Sequence, residues 1–289
     1  MQFQDDKERV RQRIKNTLSV MVAFMLALLL TMMTYMTGVY FGLLSTQNLV
    51  NSFSKVDYYA QSLDAFEETA WDYTIALSLP RSVLDGIATK DMMAEDIENS
   101  LRAGLANEVY EVDTEDLRTK LDENVSLYLS EAQLTLDEEQ KSGLEEYKDS
   151  IAEEYIASVE FPMASYLGYI KQLCNKYLPI GYGILAVLSA VAVIFLLRIR
   201  HWKHRGVRYI ACAAFGTMWM SLLLPGVGLL SGVYKKIQIT PVFFKELISR
   251  HLENTLLLFL YLALFWLLIA LLLLFYIRHK KAKIKENKA

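Results

Sequence analysis

Four stretches of this 289-residue chain contain no Asp, Glu, Lys, Arg or His, and each is long enough to cross a lipid bilayer. The first lies between Lys15 and Lys55, with its apolar part at 18–44, and the second between Lys176 and Arg198. The third separates Arg208 from Lys235, and the fourth, 254–277, is almost entirely Leu, Phe, Ala and Tyr. A bilayer core needs about 20 apolar residues in a helix. A helix is also the only open-ended element whose backbone is satisfied in lipid. The sequence therefore predicts an all-α integral membrane protein with transmembrane helices at 17–44, 178–197, 209–230 and 254–277. The first stretch exceeds the roughly 7–15 residues of a signal-peptide core and lacks a clean small-residue cleavage site, so we expect an uncleaved anchor.

Composition matters here only through segregation. A mean hydropathy of +0.21 coexists with 22% charged residues because the charges are kept out of the spans. Such a chain is neither disordered nor a disulfide-stapled secreted module. A net charge of −3 also argues against nucleic acid as a partner.

Basic residues set the expected orientation. Lys7, Arg9, Arg11, Arg13 and Lys15 fill the N-terminal segment 1–16; Arg198, Arg200, Lys203, Arg205 and Arg208 fill the loop 198–208. The tail 278–289 carries Arg278, Lys280, Lys281, Lys283, Lys285 and Lys288. In a four-span chain these clusters share one side, which the positive-inside rule assigns to the cytoplasm, with both termini inside and anionic headgroups as neighbours. Trp202, Tyr209 and Tyr276 on that side, and Tyr177 and Tyr234 on the other, suit aromatic belts. The loop 231–253 runs against the trend with Lys235, Lys236, Lys245 and Arg250.

Residues 45–177 then form an extracytoplasmic domain, with 27 acidic residues against 10 basic ones. Its net charge of −17 leaves +14 on the rest of the chain. Apolar residues recur at helical spacing in Leu63, Phe66, Ala70, Tyr73 and Leu77; in Ile97, Leu101 and Leu105; and in Leu117, Leu121, Val125 and Tyr128. A last stripe runs through Leu144, Tyr147, Ile151, Tyr155 and Val159. Asp113 with Asp116 resembles an N-cap, and Thr135 with Glu138 a capping box. Pro80 and Gly86 bracket a short segment, Arg81 to Ile87, and Pro162 ends or kinks the last helix. Residues 165–177 are expected to run on into the second span, past Pro179. No stretch alternates with period two, so the expected domain is an antiparallel helical bundle between helices one and two.

Chemistry-bearing residues are sparse. His201 and His204 stand three apart, but no Cys or acid is near enough to complete a metal site, so they extend a basic surface with His279. Cys174 and Cys212 fall on opposite sides of the bilayer and cannot pair. A domain of this size without a disulfide fits a bacterial plasma membrane. The acidic clusters (Asp91, Glu95, Asp96 and Glu98; Glu111, Asp113, Glu115 and Asp116; Asp137, Glu138 and Glu139) lack the spacing and central Gly of a calcium loop. We read them as solvated helix faces whose field attracts basic partners. No catalytic, cofactor or metal residue is assigned.

In the 231–253 loop, Thr240 and Pro241 look like N-cap and first turn of an amphipathic helix bearing Phe243, Phe244, Leu247, Ile248 and Leu252, followed by His251. That helix either lies in the bilayer interface or docks on the acidic domain, with Lys235, Lys236, Lys245 and Arg250 facing carboxylates; docking explains the misplaced positive charge better. Within the spans, small residues mark close packing: Gly38 and Gly42 in the first, Gly181, Gly183, Ala186 and Ala190 in the second, Ala213, Thr217 and Ser221 in the third. The third also carries Pro225, Gly226 and Gly228 near its end. Spans without ionisable residues are a poor match to ion-coupled transporters. The longest cytoplasmic piece, about sixteen residues, is too short for a signalling module. The expected role is a non-enzymatic interaction, accessory or scaffold protein whose ectodomain binds another envelope component. A homo-oligomeric channel or transport-complex subunit is the alternative.

Overall fold

In the computed structural model, the structure describes residues 2–161, 163–199 and 203–286, with side chains over 10–161, 163–199 and 206–280. Pro162, Arg200, His201, Trp202 and Lys288 lie outside the described residues, as do the side chains of Lys7, Arg9, Lys203, His204, Arg205, Lys281, Lys283 and Lys285. Helices α1 (Gln2–Gly38), α2 (Thr46–Lys55), α3 (Tyr58–Ala76) and α4 (Lys90–Ala106) come first, with a π-helical segment Val39–Leu43 after α1 and a 3-10 turn Arg81–Leu84 after α3. They are followed by α5 (Glu115–Glu131), α6 (Glu138–Val159), α7 (Ala164–Arg198), α8 (Lys203–Ser231) and α9 (Val242–Glu286), with a second 3-10 turn at Val233–Lys236. No strand occurs among the described residues. Helices α1, α7, α8 and α9 are long and apolar enough to cross a membrane, so the chain is a multi-pass membrane protein. Pro179 and Pro225 lie inside α7 and α8 without ending them.

The chain divides into two compact units. One, the spanning unit, comprises 1–45, 173–237 and 251–289; the other, the polar unit, comprises 46–172 and 238–250.

The spanning unit is organised on α1. Its close contact is with α8, where Ala23, Leu26 and Ala27 meet Ala213 in one buried cluster. A Cβ on Gly216 would stand 3.2 Å from that of Ala27, and Thr217, fully buried, donates to the Ala27 carbonyl at 3.3 Å. Polar side chains over 34–37 of α1 then reach each of the other three helices. Tyr35 donates to the Met220 carbonyl (2.8 Å), Thr34 accepts from Trp266 Nε1 (2.8 Å), and the Thr37 and Tyr182 hydroxyls are hydrogen-bonded at 2.5 Å. In lipid, where packing has no hydrophobic drive, such bonds and small-residue contacts hold helices together. The π-helical segment after Gly38 shifts the hydrogen-bond register, as the Leu44 N–H to Val39 carbonyl bond shows (3.0 Å). His251 Nε2 lies 2.9 Å from the Leu43 carbonyl; since a carbonyl only accepts, that nitrogen carries the proton.

In the polar unit one continuous core joins α2 to α6, the first turns of α7 and the segment 238–250. Stripes read from sequence are buried in α4 (Ile97, Leu101, Leu105), in α5 (Leu117, Leu121, Val125) and in α6 (Tyr147, Ile151, Tyr155, Val159). Helix α3 differs: its buried row is Ser62, Phe66, Ala70 and Thr74, while Tyr73 and Leu77 are 41% and 42% exposed. Hydrogen bonds make the polar members of that row tolerable inside. Ser62 donates to the Ser158 carbonyl (3.2 Å), and Thr74 pairs with Tyr147 Oη (2.8 Å).

Two caps also shift. The box over α6 is Asp137 with Gln140, not Thr135 with Glu138. Each side chain of the pair serves the other's backbone N–H, at 2.8 and 3.0 Å. Leu136, just before this cap, lines a groove with Leu129 and Leu144. At α5, Thr114 is the N-cap, and Asp113 instead accepts from the Glu115 N–H at 2.9 Å.

The segment 238–250, set apart from the domain on sequence grounds, contributes to the polar core. Leu247 is fully buried and Phe244 nearly so; the Phe244 ring lies 5.5 Å from Phe161, and Phe243 5.2 Å from Tyr58. Its apolar face is covered by protein. Helix α9 opens at Val242, one residue later than the sequence pattern places it.

Candidate functional site

The polar unit is stabilised from within by tyrosines paired with carboxylates. Asp96 accepts from Tyr155 (2.5 Å) and Tyr110 (2.8 Å), and Glu98 accepts from Tyr59 (2.9 Å) and Arg102 (3.2 Å). Burial pushes the Tyr58 phenol up to about 12 and also raises Tyr147. Burial raises Tyr59, Tyr110 and Tyr155 as well, reinforced by Glu98 for the first and Asp96 for the other two. Half of the first acidic cluster is thus committed to the fold. No group of three His, Cys, Asp or Glu converges on a metal-sized site among the described residues.

A different feature is open to an outside ligand. Where the end of α3 meets α5 and the start of α6, an apolar groove of about 400 Å³ opens to solvent. Leu77, Leu79, Val125, Leu129, Leu136 and Leu144 line it, with Glu139, Gln140 and Gly143 completing the wall. Leu77 is half-exposed because the α3 row turns inward at Thr74 instead. The capping box holds the Gln140 amide in place, leaving Glu139 exposed on the edge. Leu127 and Leu134, in the same stretch of chain, are 59% and 53% exposed.

Glu139 is the charged residue in the groove wall, and the stretch of chain that supplies much of that wall is rich in acids. Between 121 and 140 the chain carries Asp122, Glu123, Glu131, Asp137, Glu138 and Glu139, and no Lys or Arg. All six are exposed. Lys148 bridges Asp122 and Glu145, and Lys141 bridges Glu138 at 2.8 Å. Burial alone would lower the Lys148 ammonium, but its hydrogen bonds and attraction to those two carboxylates outweigh this and raise it.

Gly143 stands out in the groove wall. It sits inside α6, where Gly is about 0.5–1 kcal/mol worse than Ala. A Cβ there would meet nothing within 4 Å. Elsewhere glycines are sterically required: a Cβ on Gly168 would lie 2.0 Å from the Gly104 carbonyl oxygen, and one on Gly104 would lie 2.5 Å from Ala164 Cβ. Composition signalled this groove in one way, through a leucine-rich run with acids and no bases; the open glycine needs coordinates to be recognised.

The residues singled out in the spans fall on different surfaces. A Cβ on Gly38 would lie 2.3 Å from the Phe259 ring, and one on Gly42 2.8 Å from Thr255 Cγ2, so both face α9. Ala213, Thr217 and Ser221 are buried. Ala186 and Ala190 are exposed, the α7 side chains buried beside them being Leu185 and Ser189. A Cβ on Gly181 would lie 2.9 Å from Met36 Cε, while one on Gly183 meets nothing within 4 Å. Between α1 and α7 a wider apolar groove of about 780 Å³ runs past Met32, Tyr35, Cys174 and Leu178. On a spanning surface, acyl chains of the bilayer suffice to fill it. Cys174 and Cys212 are both free thiols. Of the loop cations, Lys235 lies 5.5 Å from the Tyr234 ring centroid, Lys236 ends the second 3-10 turn, and Lys245 and Arg250 are half-buried on α9. Comparison with protein-family models, with curated proteins and with solved structures returned no match.

Proposed function

We propose that this chain is a non-enzymatic interaction or accessory protein of a bacterial plasma membrane. Its acidic helical unit stands outside the cytoplasm and binds another component of the envelope. The observation that carries the reading is the acid-bordered apolar groove: a desolvated pocket ringed by polar groups is the usual anatomy of a binding hot spot. Three basic clusters on the other side of the spans support the orientation, since positive charge favours the cytoplasmic leaflet. The same acids raise the local concentration of basic partners before contact.

The test is purification of tagged protein from its native membranes in a mild detergent, with sizing and mass spectrometry, beside Gly143→Leu. A stoichiometric partner present with the parent chain and lost with the variant supports the proposal. A partner retained equally by both, or none at all, refutes it. The exposure of Ala186 and Ala190 favours a second reading, a homo-oligomer joined along α7. A homogeneous ring without partners, leaking cations in liposomes, is the result that selects it.

A further inference from the structure

We propose that the groove between α3, α5 and α6 takes the apolar side of a cationic amphipathic peptide segment, one large side chain entering it while Lys or Arg residues rest on the acidic border. The inference rests on the interaction reading above and adds the chemistry of the partner. Size is the first argument. About 400 Å³ lies at the small end of ligand-sized pockets and suits one or two Leu-, Phe- or Trp-sized side chains. Charge is the second. Six exposed acids over 121–140, of which Glu138 and Asp122 are paired with Lys141 and Lys148, leave a net negative field that repels anionic headgroups and acidic peptides and attracts cations over about a Debye length. The wall itself is the third. Gly143 has neither a left-handed backbone nor a crowding neighbour, so α6 gives up helix stability there without any return in packing. Local rules broken without a structural gain mark places shaped by something other than folding. A side chain at 143 would project into open space beside Leu144 and Gln140, where the proposed anchor sits.

The experiment uses the full chain in nanodiscs of zwitterionic lipid, titrated with a fluorescent peptide of Leu and Lys arranged at helical spacing. A scrambled peptide of identical composition, an analogue with Lys replaced by Glu, and empty nanodiscs serve as references. Binding about tenfold tighter than the scrambled peptide, weakening with salt, is expected. Gly143→Leu fills the groove while favouring the helix, and should weaken binding by about tenfold while the slow-exchanging amides of α6 stay at least as protected as in the parent chain. Glu131→Gln with Glu139→Gln, which spares the Asp137 cap, should flatten the salt dependence. Equal binding of amphipathic and scrambled peptides overturns the inference, as does binding indifferent to Gly143→Leu or preference for the acidic analogue. If the peptide fails while Gly143→Leu still strips a native partner, the chemistry assigned here is wrong and the interaction reading survives. If both fail, both are refuted.

Discussion

One substitution, Gly to Ala, should have opposite effects at two helical positions of the polar unit. At 143 the added methyl meets nothing within 4 Å, and only the backbone term acts. Removing the conformational freedom of glycine in a helix interior is worth about 0.5–1 kcal/mol. At 168 the same gain is available but geometry opposes it. The methyl would stand 2.0 Å from the Gly104 carbonyl oxygen and 3.2 Å from Leu105 Cα. Those are backbone atoms of α4, with no flexible side chain to swing away, so two helices must part by roughly an ångström in a close-packed core. Overpacking of that kind costs about 1–3 kcal/mol or more, which exceeds the helix gain. Gly143→Ala should therefore stabilise the unit by about 0.5–1 kcal/mol, and Gly168→Ala should destabilise it by about 2 kcal/mol. Hydrogen exchange of the slowest amides of α3 and α6, followed by mass spectrometry on the full chain in nanodiscs, reads this directly. Protection should rise about twofold to fivefold for the first and fall about thirtyfold for the second, at about 1.4 kcal/mol per tenfold. Equal responses, or a destabilised Gly143→Ala, would refute both the open wall at 143 and the backbone crossing at 168.

Further outcomes follow from burial and charge. Leu247→Ala should loosen the polar unit by about 2–5 kcal/mol because the side chain is fully buried, whereas Val242→Ala, 66% exposed on the same helix, should stay within about 0.5 kcal/mol; proteolysis of the 46–172 region measures both. Lys148→Met should change stability by less than about 1 kcal/mol, since its acids at 59% and 69% exposure return to water, while Asp122→Ala with Glu145→Ala strands a buried ammonium and should cost about 3 kcal/mol. In alkali the unfolded chain ionises its tyrosines from about pH 10, whereas Tyr58 holds its proton to about 12 and Tyr59, Tyr110, Tyr147 and Tyr155 are raised too. The folded state then binds more protons than the unfolded one, so stability is complete below pH 10 and falls above it, by about 1.4 kcal/mol per unit from Tyr58 alone. Phenolate absorbance from these tyrosines should appear together with loss of helicity; its appearance at pH 10 in folded protein would contradict the burial.

Sequence alone was informative where one physical rule dominates, and blind where two compete. The spans were legible because lipid leaves a backbone no option but a long apolar helix. The stripes of α4 and α5 were legible because Ile97, Leu101, Leu117 and Leu121 obey periodicity without exception. In α3 periodicity competes with hydrogen bonding: Ser62 and Thr74 find partners, go inside, and turn Leu77 outward into the groove. At α6 two capping patterns are available within three residues, and the structure takes Asp137 with Gln140, each side chain serving the other's backbone N–H. The crossing of Gly104 with Ala164 and Gly168 is a contact between distant stretches of chain, invisible as a motif because only Ala164 and Gly168 stand four apart. The same competition explains the segment 238–250. Its positive charge draws attention to Lys235, Lys236 and Lys245, yet the side chains the structure buries are Phe244 and Leu247. Exposed ion pairs are worth under about 1 kcal/mol each, and a fully buried leucine is worth more than any one of them. The core of the polar unit is therefore completed by a stretch of chain more than sixty residues beyond the end of 46–172, and the groove is the place where that core is left unfinished.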